Sequence, residues 1–164
     1  MDLFQLIKDK FDSPAADPAS YSPLALAFIG DAVCELVVRS AVIGQGNRQP
    51  HKLQRDSARF SNATAQKQMI TELLPYLTPE EASVFRRGRN AHPGSTAKHA
   101  TVGDYHKATG FEAVIGWLYV TGQTERLLNL IHAGWEVVEH GKMHQMDGEA
   151  SAPASVAEAD KTER

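Results

Sequence analysis

Cysteine is almost missing from this 164-residue chain, which has only Cys34. A single thiol excludes an internal disulfide framework and any multi-cysteine zinc site, and its expected role is a buried side chain in a helix. Long uncharged apolar runs are missing as well. The best candidate, residues 24–43, carries Asp31, Glu35 and Arg39 within its span. Charges that deep exclude it as a membrane-spanning helix. The N-terminal segment is mixed and charged, with no signal-peptide pattern, so the chain is expected to be cytoplasmic with no membrane partner. No long alternating strand pattern and no Asn-Gly hairpin signal occurs, which removes the usual marks of a β fold. Nor does any His-Asp dipeptide, which argues against an all-helical metal phosphohydrolase acting on nucleotides.

What is present is helical patterning and an uneven spread of charge. With 42% hydrophobic residues, the chain can bury a real core as one domain. The net charge of −3 conceals a basic middle, since residues 39–110 hold eleven Lys and Arg against five Asp and Glu. Acidic ends around a basic centre point to a polyanion-binding face beside a carboxylate-bearing one. The pattern predicts an all-α fold: a short helix over residues 2–11, a linker over 12–22, and a long helix opened by Pro23 and running to about Ile43. Pro50 opens another helix, and Ser61 is read as the cap that restarts it to about Leu74. Thr78-Pro79-Glu80-Glu81 has the form of a capping box, starting a helix to about Arg87. Residues 92–99 read as a Gly/Pro loop. Helices are expected over about 102–120 and 124–140, and a disordered acidic tail over 142–164.

Two segments break the rule that buried helices are apolar. In Leu24-Ala-Leu-Ala-Phe-Ile-Gly-Asp-Ala-Val-Cys-Glu, Asp31 and Glu35 stand four residues apart on one side of a helix. Like charges so placed repel, and a hard divalent cation such as Mg²⁺ removes that repulsion. Gly30 sits beside Asp31 in mid-helix, where glycine costs about 1 kcal/mol relative to alanine, so another helix is expected to pass close by. The second segment, Ala108-Thr-Gly-Phe-Glu-Ala-Val-Ile-Gly-Trp-Leu-Tyr-Val120, repeats the motif with Glu112, Gly110 and Gly116. Two helices crossing at their glycines could bring Asp31 and Glu112 to one cation.

The basic residues form two groups in sequence. Arg39, Arg48, Lys52, Arg55, Arg59 and Lys67 make the first; Arg86, Arg87, Arg89, Lys98 and Lys107, with His92, His99 and His106, make the second. Few aromatics are interleaved with them, which favours contact with a duplex backbone over base stacking on single strands.

At these residues the chain resembles a known family. The segment from Leu24 to Val33 is similar to the signature helix of the ribonuclease III catalytic domain, and Phe111 to Val120 to its second metal-binding helix. The absence of a double-stranded-RNA-binding domain, with Arg87-Gly-Arg-Asn-Ala91 and Tyr105-His-Lys-Ala-Thr-Gly-Phe-Glu112, resembles the Mini-ribonuclease III branch. The resemblance implies a helical-bundle catalytic domain over residues 22–141, preceded by a short helix and linker over 1–21, forming a homodimer. It implies Mg²⁺-dependent cleavage of double-stranded RNA, in maturation of the 23S ribosomal RNA precursor, with a ribosomal protein as a possible aid on the substrate. Asp31 and Glu112 would be the catalytic, metal-holding pair, with Glu35 as a substitute ligand or a group behind them. Arg55, Arg59, Arg86, Arg87, Arg89, Asn90, Lys98 and Lys107 would contact RNA, those at 86–99 as a mobile loop. The family's other acids are replaced here by Leu24, Ala27 and Thr109, which leaves fewer protein ligands. The alternative reading is a non-catalytic RNA-binding module in ribosome assembly.

Overall fold

In the computed structural model, residues 2–14, 16–91 and 102–141 are described. The expected tail over 142–164 and the expected loop over 92–99, with Lys98, His92 and His99, lie outside them. Among the described residues seven α-helices follow one another: α1 Leu3–Lys10, α2 Pro23–Gly44, α3 Pro50–Ser61, α4 Ala63–Leu73, α5 Pro79–Asn90, α6 Val102–Val120 and α7 Thr124–His140. No strand occurs among the described residues. None of the described helices is long and apolar enough to cross a membrane.

Local chemistry sets most of the boundaries. Pro23, Pro50 and Pro79 each stand at the first helical position, where a missing N–H costs nothing. The Thr78 hydroxyl accepts from the Glu81 N–H at 3.2 Å while the Glu81 carboxylate accepts from the Thr78 N–H at 2.8 Å, a complete capping box. α5 runs to Asn90, three residues beyond the expected end. The break between α3 and α4 also differs from expectation. The cap is Asn62, whose side-chain oxygen accepts from the Ala65 N–H at 2.9 Å, and Ser61 closes α3 instead. The expected linker over 12–22 contains one turn of 3-10 helix, Pro18–Ser20, capped by Asp17.

α6 is the axis of the fold. Phe111, Ala113, Val114, Ile115 and Leu118 are wholly buried, on all sides of the helix. A helix apolar all round must be surrounded, and α6 packs against α2, α4, α5 and α7. α7 is held to α5 by a bidentate ion pair: Arg126 Nε donates to Glu81 Oε1 at 2.8 Å and Nη2 to Oε2 at 2.9 Å. At the far end of α6, Phe4 of α1 packs edge-on against Tyr119, with ring centroids 5.5 Å apart.

Candidate active site

The two unusual helices do cross, and at their glycines. A Cβ on Gly30 would lie 2.7 Å from the Gly116 nitrogen and from the Glu112 carbonyl carbon, with the Glu112 carbonyl oxygen nearer still. A Cβ on Gly116 would lie 2.8 Å from the Leu26 carbonyl carbon. The backbones of α2 and α6 therefore touch directly, which only residues without a side chain permit. Asp31 follows Gly30 on α2, and the backbone of Glu112 forms the opposing wall on α6. The crossing thus brings both acids to one place.

Electrostatics carries the mark of this proximity. Burial, and then the neighbouring Asp31 carboxylate, push the Glu112 carboxyl up to about 7. Partial burial and the Glu35 charge raise Asp31. Cys34, wholly enclosed on α2, is pushed up to about 12, first by burial and then by the charges of Glu112, Asp31 and Glu35. Such a thiol stays protonated, so it packs as a small apolar group and is no nucleophile. All three carboxylates therefore lie around Cys34, but they do not act as equals. Glu35 is bound to Arg39 one turn along α2. Among the described residues, no three His, Cys, Asp or Glu side chains gather closely enough to hold a metal ion. What the site offers is a pair of carboxylates whose repulsion a cation would relieve. That matches Mg²⁺, which binds through one or two carboxylates and keeps waters or substrate phosphate oxygens in its other positions.

The expected RNA-contacting residues are only partly free cations. In the first basic group, Arg48 pairs with Asp56 at 2.6 Å and Arg55 with the same carboxylate at 3.3 Å. With Arg39 tied to Glu35, three arginines of that group are engaged by two carboxylates. Arg59 is exposed, its guanidinium 5.2 Å from the centre of the Phe60 ring. In the second group, Arg86, Arg87 and Asn90 are exposed on the last turns of α5, Arg89 lies over the Phe85 ring at 5.8 Å, and Lys107 is half-buried on α6. α5 is seated against α6 through a further glycine, since a Cβ on Gly88 would come 2.7 Å from the Ala113 Cβ. The arginines of α5 are thereby held beside α6, the helix that bears Glu112.

One residue near the site gave no signal in sequence. Gln66 of α4 is buried, and its amide sits close enough to Glu112 and Cys34 to hold both of their pKa values down.

Comparison with known proteins agrees with this geometry. The ribonuclease III domain family matches residues 24–123, a span that contains both crossing helices. The Mini-ribonuclease 3 of Brevibacillus brevis is 42% identical over 123 residues, covering 75% of this chain and 92% of that protein. That of Symbiobacterium thermophilum is 40% identical over 127 residues, 77% of this chain and 98% of its own length. A crystal structure of a Fusobacterium nucleatum protein superposes with a TM-score of 0.66 at 29% identity, covering 72% of this chain and 94% of that one.

Proposed function

This chain belongs to the ribonuclease III family, in its Mini-ribonuclease 3 branch, and on that premise we propose that it cuts double-stranded RNA at the Asp31–Glu112 pair with Mg²⁺ as its metal. As a member of that family it is an endoribonuclease acting on double-stranded RNA. The observation that supports the choice of residues is the glycine crossing of α2 and α6. It brings the two acids close enough for the Asp31 charge to raise Glu112 in a partly desolvated place, where a cation would relieve their repulsion.

Each side chain has a distinct part in this reading. Glu112, from the buried central helix, is the rigid ligand, and Asp31, exposed on α2, faces the substrate side. When bound, Mg²⁺ supplies an activated water for attack on phosphorus and steadies the charge on the leaving 3′ oxygen. Arg86, Arg87, Arg89 and Asn90 on α5, with Arg59, Lys107, Lys98 and a share of Arg55, hold the phosphate backbone. Such contacts weaken steeply with salt. Glu35, paired with Arg39 and close enough for its charge to raise Asp31, is the third carboxylate of the site, serving as a substitute ligand or as a group behind the pair.

The unit that acts is a homodimer. Phe28, Ala32 and Leu36 stand at four-residue spacing on α2, exposed, with Phe28 at 82% and Leu36 at 55%. An apolar stripe of this kind on the helix that carries Asp31 calls for a covering surface. A second copy in twofold relation would supply one and would set two sites against the two strands of one duplex. Residues 22–141 form the catalytic unit in the cytoplasm. The substrate is the precursor of 23S ribosomal RNA, with a ribosomal protein aiding its presentation.

The test is incubation of the purified chain with precursor 23S ribosomal RNA, with and without Mg²⁺, followed by mapping of the ends produced. Cleavage at duplex positions that needs Mg²⁺ and disappears in Asp31→Asn, with RNA binding retained, is the expected result. RNA binding without cleavage by the wild-type chain would replace the nuclease with a passive RNA-binding module.

A further inference from the structure

Gln66 is out of place by the ordinary rules of helix packing. Its neighbours on the inner face of α4 are Ala65, Met69, Ile70 and Leu73, all part of the apolar core. Gln66 is 1% exposed among them, and neither its amide nitrogen nor its amide oxygen makes a hydrogen bond. An unpartnered buried amide is costly, so leucine or methionine would serve the fold better there. Its surroundings give it another role. α4 packs against α6, and the amide lies near enough to the Cys34 thiol of α2 and the Glu112 carboxyl of α6 to act on both electrostatically. The thiol is a weak partner, whereas a carboxylate is the strongest acceptor a buried N–H can find. The terminal torsion of a glutamine is soft, so a modest rotation aligns donor and acceptor at little cost.

We propose that Gln66 is a positioning residue for the active site, its side-chain N–H donating to the Glu112 carboxylate and fixing the orientation in which that carboxylate holds a divalent cation. The inference rests on the reading of Glu112 as a metal-holding group and extends it to α4. A buried amide is well suited to the task. It carries no charge to compete for the cation, and it constrains one carboxylate oxygen while leaving the other free. Hydrogen bonds of this kind behind metal ligands typically govern affinity by about 10- to 100-fold.

The experiment compares Mn²⁺ binding to the full chain and to Gln66→Leu, without RNA, by the loss of the free-ion paramagnetic resonance signal, alongside urea unfolding of both proteins. The expected result is a dissociation constant about 10-fold or more weaker in Gln66→Leu, with stability close to wild type because the lost hydrogen bond is offset by an apolar side chain in an apolar place. A purely structural glutamine would give the reverse: lower stability and unchanged metal affinity. Should Gln66→Leu fail to fold, the wild-type chain decides. The Gln66 side-chain amide resonances must shift on addition of Mg²⁺, and their immobility overturns the proposal. A folded Gln66→Leu that binds Mn²⁺ like wild type removes the role of Gln66 alone. A wild-type chain that binds no Mn²⁺ removes the Asp31–Glu112 site and this inference together.

Discussion

Replacing Gly30 by alanine tests the helix crossing on which the site depends. The new methyl carbon would stand 2.7 Å from the Gly116 nitrogen, with the Glu112 carbonyl oxygen closer still, and 3.4 Å is where ordinary contact begins, so α2 and α6 must separate by more than 0.7 Å. The obstacle is backbone, which cannot rotate aside. A gap of that size forfeits roughly a quarter to a half of the attraction between the facing side chains. If four large buried residues on these helices, such as Leu26, Val33, Val38 and Ile115, are each worth about 2 kcal/mol, the loss is about 2–4 kcal/mol. Residual overpacking strain adds about 1 kcal/mol, and the better helix propensity of alanine offsets about as much. The expected cost is therefore at least about 2–4 kcal/mol, a large part of the total stability of an ordinary domain. Gly44 provides the control, since it closes α2 with nothing within 4 Å of its would-be Cβ. Gly44→Ala should leave stability unchanged or raise it by up to about 1 kcal/mol. The assay is urea unfolding followed by circular dichroism at one fixed protein concentration, because association contributes to apparent stability. If Gly30→Ala lay within 1 kcal/mol of wild type, the close packing described for this crossing would be wrong.

Three other outcomes follow from the same geometry. Glu112 titrates near 7 in the fold but at the ordinary 4.5 when unfolded, so the native state binds more protons between those values. Without divalent cations, stability should thus fall as pH rises from about 4.5 to about 7, by on the order of 3 kcal/mol, and then level off; Glu112→Gln should remove most of that slope, and a wild-type profile with no such slope would contradict the assignment. Glu81→Ala strips the buried carboxylate that Arg126 grips from α7 and breaks the Thr78 capping box, so urea unfolding should show a loss of about 3 kcal/mol or more; a loss below 1 kcal/mol would refute a structural role for the pair. Phe28→Glu places a charge in the exposed stripe of α2; sedimentation should show a dimer for wild type, as proposed, and a monomer for the variant, and a wild-type monomer or an unchanged variant would contradict the proposed dimer contact.

Much of this arrangement was legible in the residues, and the reasons are specific. Prolines at 23, 50 and 79 and the Thr78–Glu81 box act within one turn of chain, so they mark helix starts without reference to the rest of the fold. The expense of glycine in mid-helix made Gly30 and Gly116 visible as points of close approach. Where two adjacent residues can both cap, as Ser61 and Asn62 can, local chemistry does not choose between them, and packing gave the role to Asn62. Long-range pairings left no trace at all: Arg126 and Glu81 are 45 residues apart. The basic groups looked stronger in sequence than in the fold, because Asp56 and Glu35 neutralise arginines that composition counts as free. Gln66 was invisible for a different reason. A polar residue in an Ala/Thr/Gln/Lys stretch reads as surface, and only the packing of α4 against α6 turns it inward.

Crystals of the wild-type chain soaked in Mn²⁺ and measured at the manganese absorption edge would test the central claim most directly. An anomalous peak lying within about 2–2.5 Å of oxygens from both Asp31 and Glu112, and absent in Asp31→Asn, is the predicted result. A peak at another cluster of acids, with the Asp31–Glu112 pair bare, would contradict it.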